Sequence, residues 1–174
     1  MNPLRIGGEG AKVKVEQLRI TQEPPESGGR EHWGYCGIQV GNEAMCFIEE
    51  IEDVGGQNCS SLKLSSLLMV IDRYIRPGTE VVSSVWKRYE MNGKLPDEVK
   101  YFAKERSLRL VETDEEDNRV AVLWSQFKAL NYKSLDKSEL ICTHIKEFMW
   151  RQMFAGKDCM YHLWSHIAAM YPLT

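Results

Sequence analysis

Five cysteines and four histidines are the side chains here best suited to hold a metal or act as nucleophiles. Cys159, His162 and His166 fall at helical spacing, so one helix face can present all three, and histidines four residues apart can bind zinc. A helix packed on a core accounts for the same pattern without a metal. Cys142 and His144 are near neighbours but point apart on a helix, which argues against a catalytic Cys–His pair. Cys36, Cys46 and Cys59 are widely spaced and no CxxC pair occurs, so a zinc ribbon is excluded. The phosphate-cradling GxxxxGK[ST], the dinucleotide-binding GxGxxG and the nucleophile elbow GxSxG are all absent. On this reading the chain carries no cofactor and no metal site.

The elements that would position any site can be read from hydrophobic periodicity. Val13 and Val15 alternate with charge, and then Leu18 and Ile20 continue on the other parity, which predicts a strand over Lys12–Ile20 with a bulge near Glu16-Gln17. Residues 21–31 (TQEPPESGGRE) read as a mobile loop. Two apolar runs, Trp33–Val40 and Ala44–Ile51, are split by Gly41-Asn42, a hairpin signal. Leu62, Leu67, Leu68, Ile71 and Ile75 recur at helical spacing, which predicts a helix over Ser60–Ile75 with Ser60 or Ser61 as its cap. Pro77-Gly78 turns the chain into a short strand, Glu80–Ser83, and Trp86 and Tyr89 begin a helical turn. A last short strand is expected over Ser107–Val111.

The acidic run over 112–117 (ETDEED) precedes a helix from about Asn118 to Leu130, whose apolar face holds Val120, Leu123, Trp124 and Phe127. Acids ahead of a helix suit its macrodipole, so the run reads as a solvated helix start. Two further helices follow, Ser138–Ala155 and Lys157–Tyr171. Their aromatic and methionine side chains read as mostly core. They also exceed what one face can bury, and Trp150, Met153, Phe154 and Trp164 are the expected partner-binding set.

The chain has 174 residues, enough for one domain with a sizeable core, so 1–174 is read as a single unit with a helical part over 138–174. Apolar residues are 43% and charged residues 27%, as in ordinary globular proteins. No apolar run is long enough to span a membrane, and the first residues lack the apolar core of a secretory signal, so reduced thiols inside a cell are expected. The net charge of −3 disfavours nucleic acid, since phosphate neutralisation needs a basic surface.

The order of these segments, with several short motifs, resembles the Merlin-type DDE transposases, the insertion-sequence transposase-like family. Ile6-Gly7-Gly8-Glu9-Gly10, Trp33-Gly34-Tyr35-Cys36-Gly37-Ile38, Arg73–Thr79, Leu123–Lys128, Glu147–Arg151 and His166-Ile167-Ala168 with Tyr171-Pro172 carry the likeness, which covers nearly the whole chain. The resemblance implies an α/β fold: a ribonuclease H-like mixed sheet of a three-strand meander and further short strands, flanked by helices, with extra C-terminal helices. It also implies a chemistry of in-line phosphoryl transfer, in which three carboxylates hold two divalent ions.

Matched residue by residue, those three positions fall on Glu16, Ser84 and Ala121. Glu16 is acidic but one methylene longer than the family's aspartate. Serine is a neutral, poor ligand and alanine is none. Asp117, one helical turn before Ala121, reads as a cap or loop residue rather than a substitute. Loop residues Glu23, Glu26 and Glu31, against Arg30, are acidic where the family is basic. The expectation is a catalytically dead descendant of a transposase: a protein-interaction or scaffold module of a nuclear complex, with an unidentified protein partner or a second copy. The alternatives are a DNA-binding remnant that tethers factors to chromatin, and a surviving metal-dependent nuclease.

Overall fold

The computed structural model of the chain describes residues 4–20, 33–51, 63–113, 118–130 and 138–171. Residues 21–31, Cys59, Ser60, Ser61 and Asp117 lie outside them, and with them the expected mobile loop, the serine cap and the alternative acid. The chain forms β1 (Lys12–Arg19), β2 (Trp33–Gln39), β3 (Asn42–Ile51), α1 (Leu64–Tyr74), β4 (Glu80–Ser83), α2 (Trp86–Tyr89), α3 (Asp97–Glu105), β5 (Arg109–Glu112), α4 (Arg119–Ala129), α5 (Ser138–Met153) and α6 (Cys159–Met170). The strands make one sheet in the order β3-β2-β1-β4-β5. β1, β2 and β3 pair antiparallel, while β1 with β4 and β4 with β5 pair parallel. This mixed sheet flanked by helices is the α/β, ribonuclease H-like arrangement.

β1 runs through the middle of the sheet, and both of its faces are covered. Val13 and Val15 face a core that includes Tyr35 and Phe47, Leu67 and Ile71 of α1, Trp86 and Val99. Leu18 faces a second core with Cys36, Ile38 and Ile48, Leu123 and Phe127 of α4, and Ile141, Ile145 and Phe148 of α5. That corrects one expectation. The change of apolar parity along β1 is not a bulge: β1 pairs with β2 in unbroken register from Val13 to Arg19. The strand changes the face it buries more deeply, since each face has its own helical layer. The irregularity of the meander lies instead at Ile38/Gln39, where the β2–β3 register shifts.

Local rules place the other boundaries. Gly41 adopts φ +84 at the β2–β3 turn, and Gly78 adopts φ +82 where the chain reverses ahead of β4. Both are left-handed conformations that cost glycine least. α1 ends at Tyr74 because the chain is drawn into a bridge with Ile6: the Ile6 amide donates to the Tyr74 carbonyl (2.8 Å) and the Arg76 amide to the Ile6 carbonyl (2.9 Å). α1 begins at Leu64, later than expected from the sequence, with Lys63 extended at the cap position and no side-chain capping bond. α3 was not legible in the sequence. Its buried face is only Val99 and Ala103, too short a stripe to stand out, although Pro96 followed by Asp97 and Glu98 makes a good helix start.

α6 departs in part from the sequence reading. Its apolar residues fall at helical spacing and read as mostly core with Trp164 on an exposed patch, and none of its residues is buried. Periodicity establishes an apolar stripe but not what covers it. Among the described residues no helix is long and apolar enough to cross a membrane.

Candidate functional site

Parallel pairing of β1 with β4 sets Lys12 opposite Glu80, Val13 opposite Val81 and Lys14 opposite Val82. Continuing that register brings Glu16 to the residue that follows β4, Ser84. Open α/β sheets offer ligand sites at these carboxyl ends of parallel strands. The turn that presents Ser84 is anchored from below. Ser83 and Val85 are buried, the Val85 amide donates to Ser83 Oγ (3.1 Å), and Trp86 is buried with its indole donating to the Val81 carbonyl (3.5 Å). Ser84 itself is exposed.

Glu16 and Ser84 meet directly. Ser84 Oγ donates to Glu16 Oε2 at 2.6 Å, and the Ser84 amide donates to Glu16 Oε1 at 3.2 Å. Both carboxylate oxygens thus have a donor from one residue. The Nζ of Lys14, on the same face of β1, lies 3.8 Å from Glu16 Oε1. The next residue, Gln17, projects to the other face, where it accepts from Arg88 (2.7 Å). Ala121 lies in α4, exposed, while Val120, Leu123 and Phe127 hold that helix to the sheet. The structure therefore brings two of the three matched positions into hydrogen-bond contact, and the third offers a methyl group.

Two divalent ions do not fit this set. Such ions require several anionic oxygens, and the matched positions supply one carboxylate, already accepting from Ser84 and facing an ammonium. Among the described residues no group of three or more His, Cys, Asp or Glu side chains is placed to hold a metal. Lys14 is the participant that sequence reasoning passed over. A lysine alternating with valines reads as solvent-facing, but this face lies under α4 and α5.

The second candidate surface is the α5–α6 hairpin. Trp150, Met153 and Phe154 are half-buried, and Trp164 is 62% exposed. His162 stacks on Phe154 with centroids 4.2 Å apart, and His166 meets the same ring edge-on at 5.5 Å. The Trp150 indole donates to His166 Nδ1 at 3.2 Å. The two histidines thus serve as the packing face of α6, while Met160, Tyr161, Leu163, Trp164 and Met170 face outward. Cys159 Sγ lies 3.6 Å from the Phe154 carbonyl. Cys142 donates to Glu50 Oε2 at 2.9 Å, and partial burial together with Glu50 pushes its thiol up to about 11. That is the opposite of nucleophile activation.

No protein-family model and no curated protein matches the chain. Among solved structures, it is similar in fold to a chain in the cryo-EM structure of the simian T-cell lymphotropic virus intasome in complex with PP2A regulatory subunit B56 gamma. The two share 12% identity at a TM-score of 0.50, over 84% of this chain and 50% of that one. At that identity the likeness is one of fold, and it spans about half the length of the intasome chain.

Proposed function

We propose that this chain is a transposase-derived pseudoenzyme whose present role is to bind a protein partner within a nuclear complex. The observation that carries the binding role is α6. The helix buries none of its residues, exposes Met160, Tyr161, Leu163, Trp164 and Met170, and has no Asp, Glu, Lys or Arg from Cys159 to Tyr171. An apolar patch of this extent on an otherwise ordinary surface marks a docking face. The loss of catalysis is supported by Ser84 and Ala121 at two acid positions of the resembled family, and by the Glu16 carboxylate being engaged by Ser84. The intasome chain is named in a complex with a protein phosphatase subunit, which is a property of that protein and agrees with the same class of role.

Affinity capture from nuclear extract, run side by side with the unaltered chain and Trp164→Glu, tests the reading. A partner retained by the first and lost with the second supports it. Equal capture by both removes α6 as the docking face. Fluorescence anisotropy with duplex DNA tests the competing class: binding that weakens steeply with salt replaces the scaffold reading with a chromatin tether. Manganese-dependent cleavage of DNA by the unaltered chain replaces it with a nuclease.

A further inference from the structure

Lys14 is 4% exposed on the central strand of the sheet, with Ile38 of β2 and Val82 of β4 beside it in register. An ammonium so enclosed is costly unless a negative group faces it. A lysine whose stem lies on apolar neighbours while its head reaches water would show an exposed side chain, and here the side chain is 5% exposed. The head lies instead 3.8 Å from Glu16 Oε1, and Glu16 is held in place by both donors of Ser84. Lys14 thereby sets a positive charge beside the Glu16 carboxylate.

We propose that Lys14 is the resident cation of this strand-end site, neutralising Glu16 in place of a divalent ion and keeping such ions out. The inference rests on the pseudoenzyme reading and deepens it: the site has not simply lost ligands but holds its own counter-charge. A divalent ion approaching Glu16 meets the ammonium at short range, and the repulsion between them offsets the attraction of a single carboxylate. Ser84 takes part by donating to Glu16 rather than by ligating anything. The geometry of the carboxyl ends of β1 and β4 then persists without metal.

The test is manganese binding, followed by the loss of the free-ion electron paramagnetic resonance signal, in the unaltered chain, Ser84→Asp, and Ser84→Asp combined with either Lys14→Met or Lys14→Arg. Removing a unit charge a few ångströms from the ion should tighten binding by about tenfold or more, so the double variant with Lys14→Met is expected to bind at least that much more tightly than Ser84→Asp alone. The double variant with Lys14→Arg, which keeps the charge, is expected to match Ser84→Asp. Equal affinity of Ser84→Asp with and without Lys14→Met, whether both bind or neither does, overturns the proposal.

A second measurement leaves Ser84 in place. Without the ammonium the Glu16 carboxylate is left uncompensated, so the thermal midpoint of Lys14→Met should fall, and Glu16→Gln in the same chain should recover part of that fall. A Lys14→Met chain that is as stable as the unaltered one, or the same fall with and without Glu16→Gln, also overturns it. Cleavage of DNA by the unaltered chain with manganese would instead sink the pseudoenzyme reading, so the two failures are distinguishable.

Discussion

Trp86, behind the turn that carries Ser84, is 1% exposed, whereas Trp164 of α6 is 62% exposed. The two indoles mark two regions built on different rules. Around Trp86 the polar groups are matched pairwise: Glu16 with Ser84, Val85 with Ser83, and the indole with Val81. Around Trp164 the helix leans on α5 through two imidazoles and leaves its apolar side uncovered. The first region is complete within the chain. The second leaves its apolar side exposed. A function located at the strand-end cluster and one located on α6 therefore respond to opposite kinds of change.

The contrast is broken most decisively by truncating each indole in turn. Trp86→Ala should cost about 3–5 kcal/mol of unfolding free energy, the range for large aromatic side chains in cores. Trp164→Ala should stay within about 0.5 kcal/mol, as for surface positions, while abolishing partner capture. Urea titrations of both variants decide it, and a comparable loss from Trp164→Ala would mean that α6 is part of the core. A smaller effect is expected from Phe154→Ala, which removes the ring that both histidines touch. It should lower stability by about 1–3 kcal/mol and speed amide exchange in α6, with β1 amides unaffected.

Burial also makes a prediction for alkaline solution. Cys46 is pushed up from 9.0 to about 12, and Cys36 is raised as well, because burial disfavours each thiolate. A group whose folded value is raised adds stability that is fully present below its unfolded value and is lost as pH rises towards the folded one. The urea midpoint should therefore be flat below about pH 9 and fall above it, and Cys46→Ala should flatten that fall. A modest effect is expected at the surface of the strand-end site. Ser84→Ala removes one hydroxyl donor to Glu16 and should cost about 0.5–1.5 kcal/mol, measured in the same urea series.

The sequence reaches some of these features and not others for physical reasons. The strand over Glu80–Ser83, the Gly41-Asn42 hairpin and the reversal at Pro77-Gly78 were legible because each is set by local chemistry: β-branched residues, a left-handed glycine and a Pro-Gly turn. The contact between Glu16 and Ser84 was legible only through the family resemblance, since nothing local joins strands so far apart in the chain. Lys14 was passed over because alternation tells which residues share a face but not whether that face is covered. α6 was read only in part: Trp164 was expected on an exposed patch, but the rest of its apolar stripe was expected to be covered and is not. α3 was missed because two buried residues make too faint a stripe.

The hydrogen bonds from Ser84 to Glu16 close a span of 68 residues. The β1–β3 meander pairs strands that are consecutive in the chain, whereas β4 must be carried back past α1 to lie beside β1. Long loop closures come late in folding because their entropy is spent before their contacts are gained. Glu16 and Lys14 share β1, and Ser84 reaches them only when β4 docks beside it. The completed cluster is a signature of β4 docking on β1, the step that joins the antiparallel meander to the parallel half of the sheet.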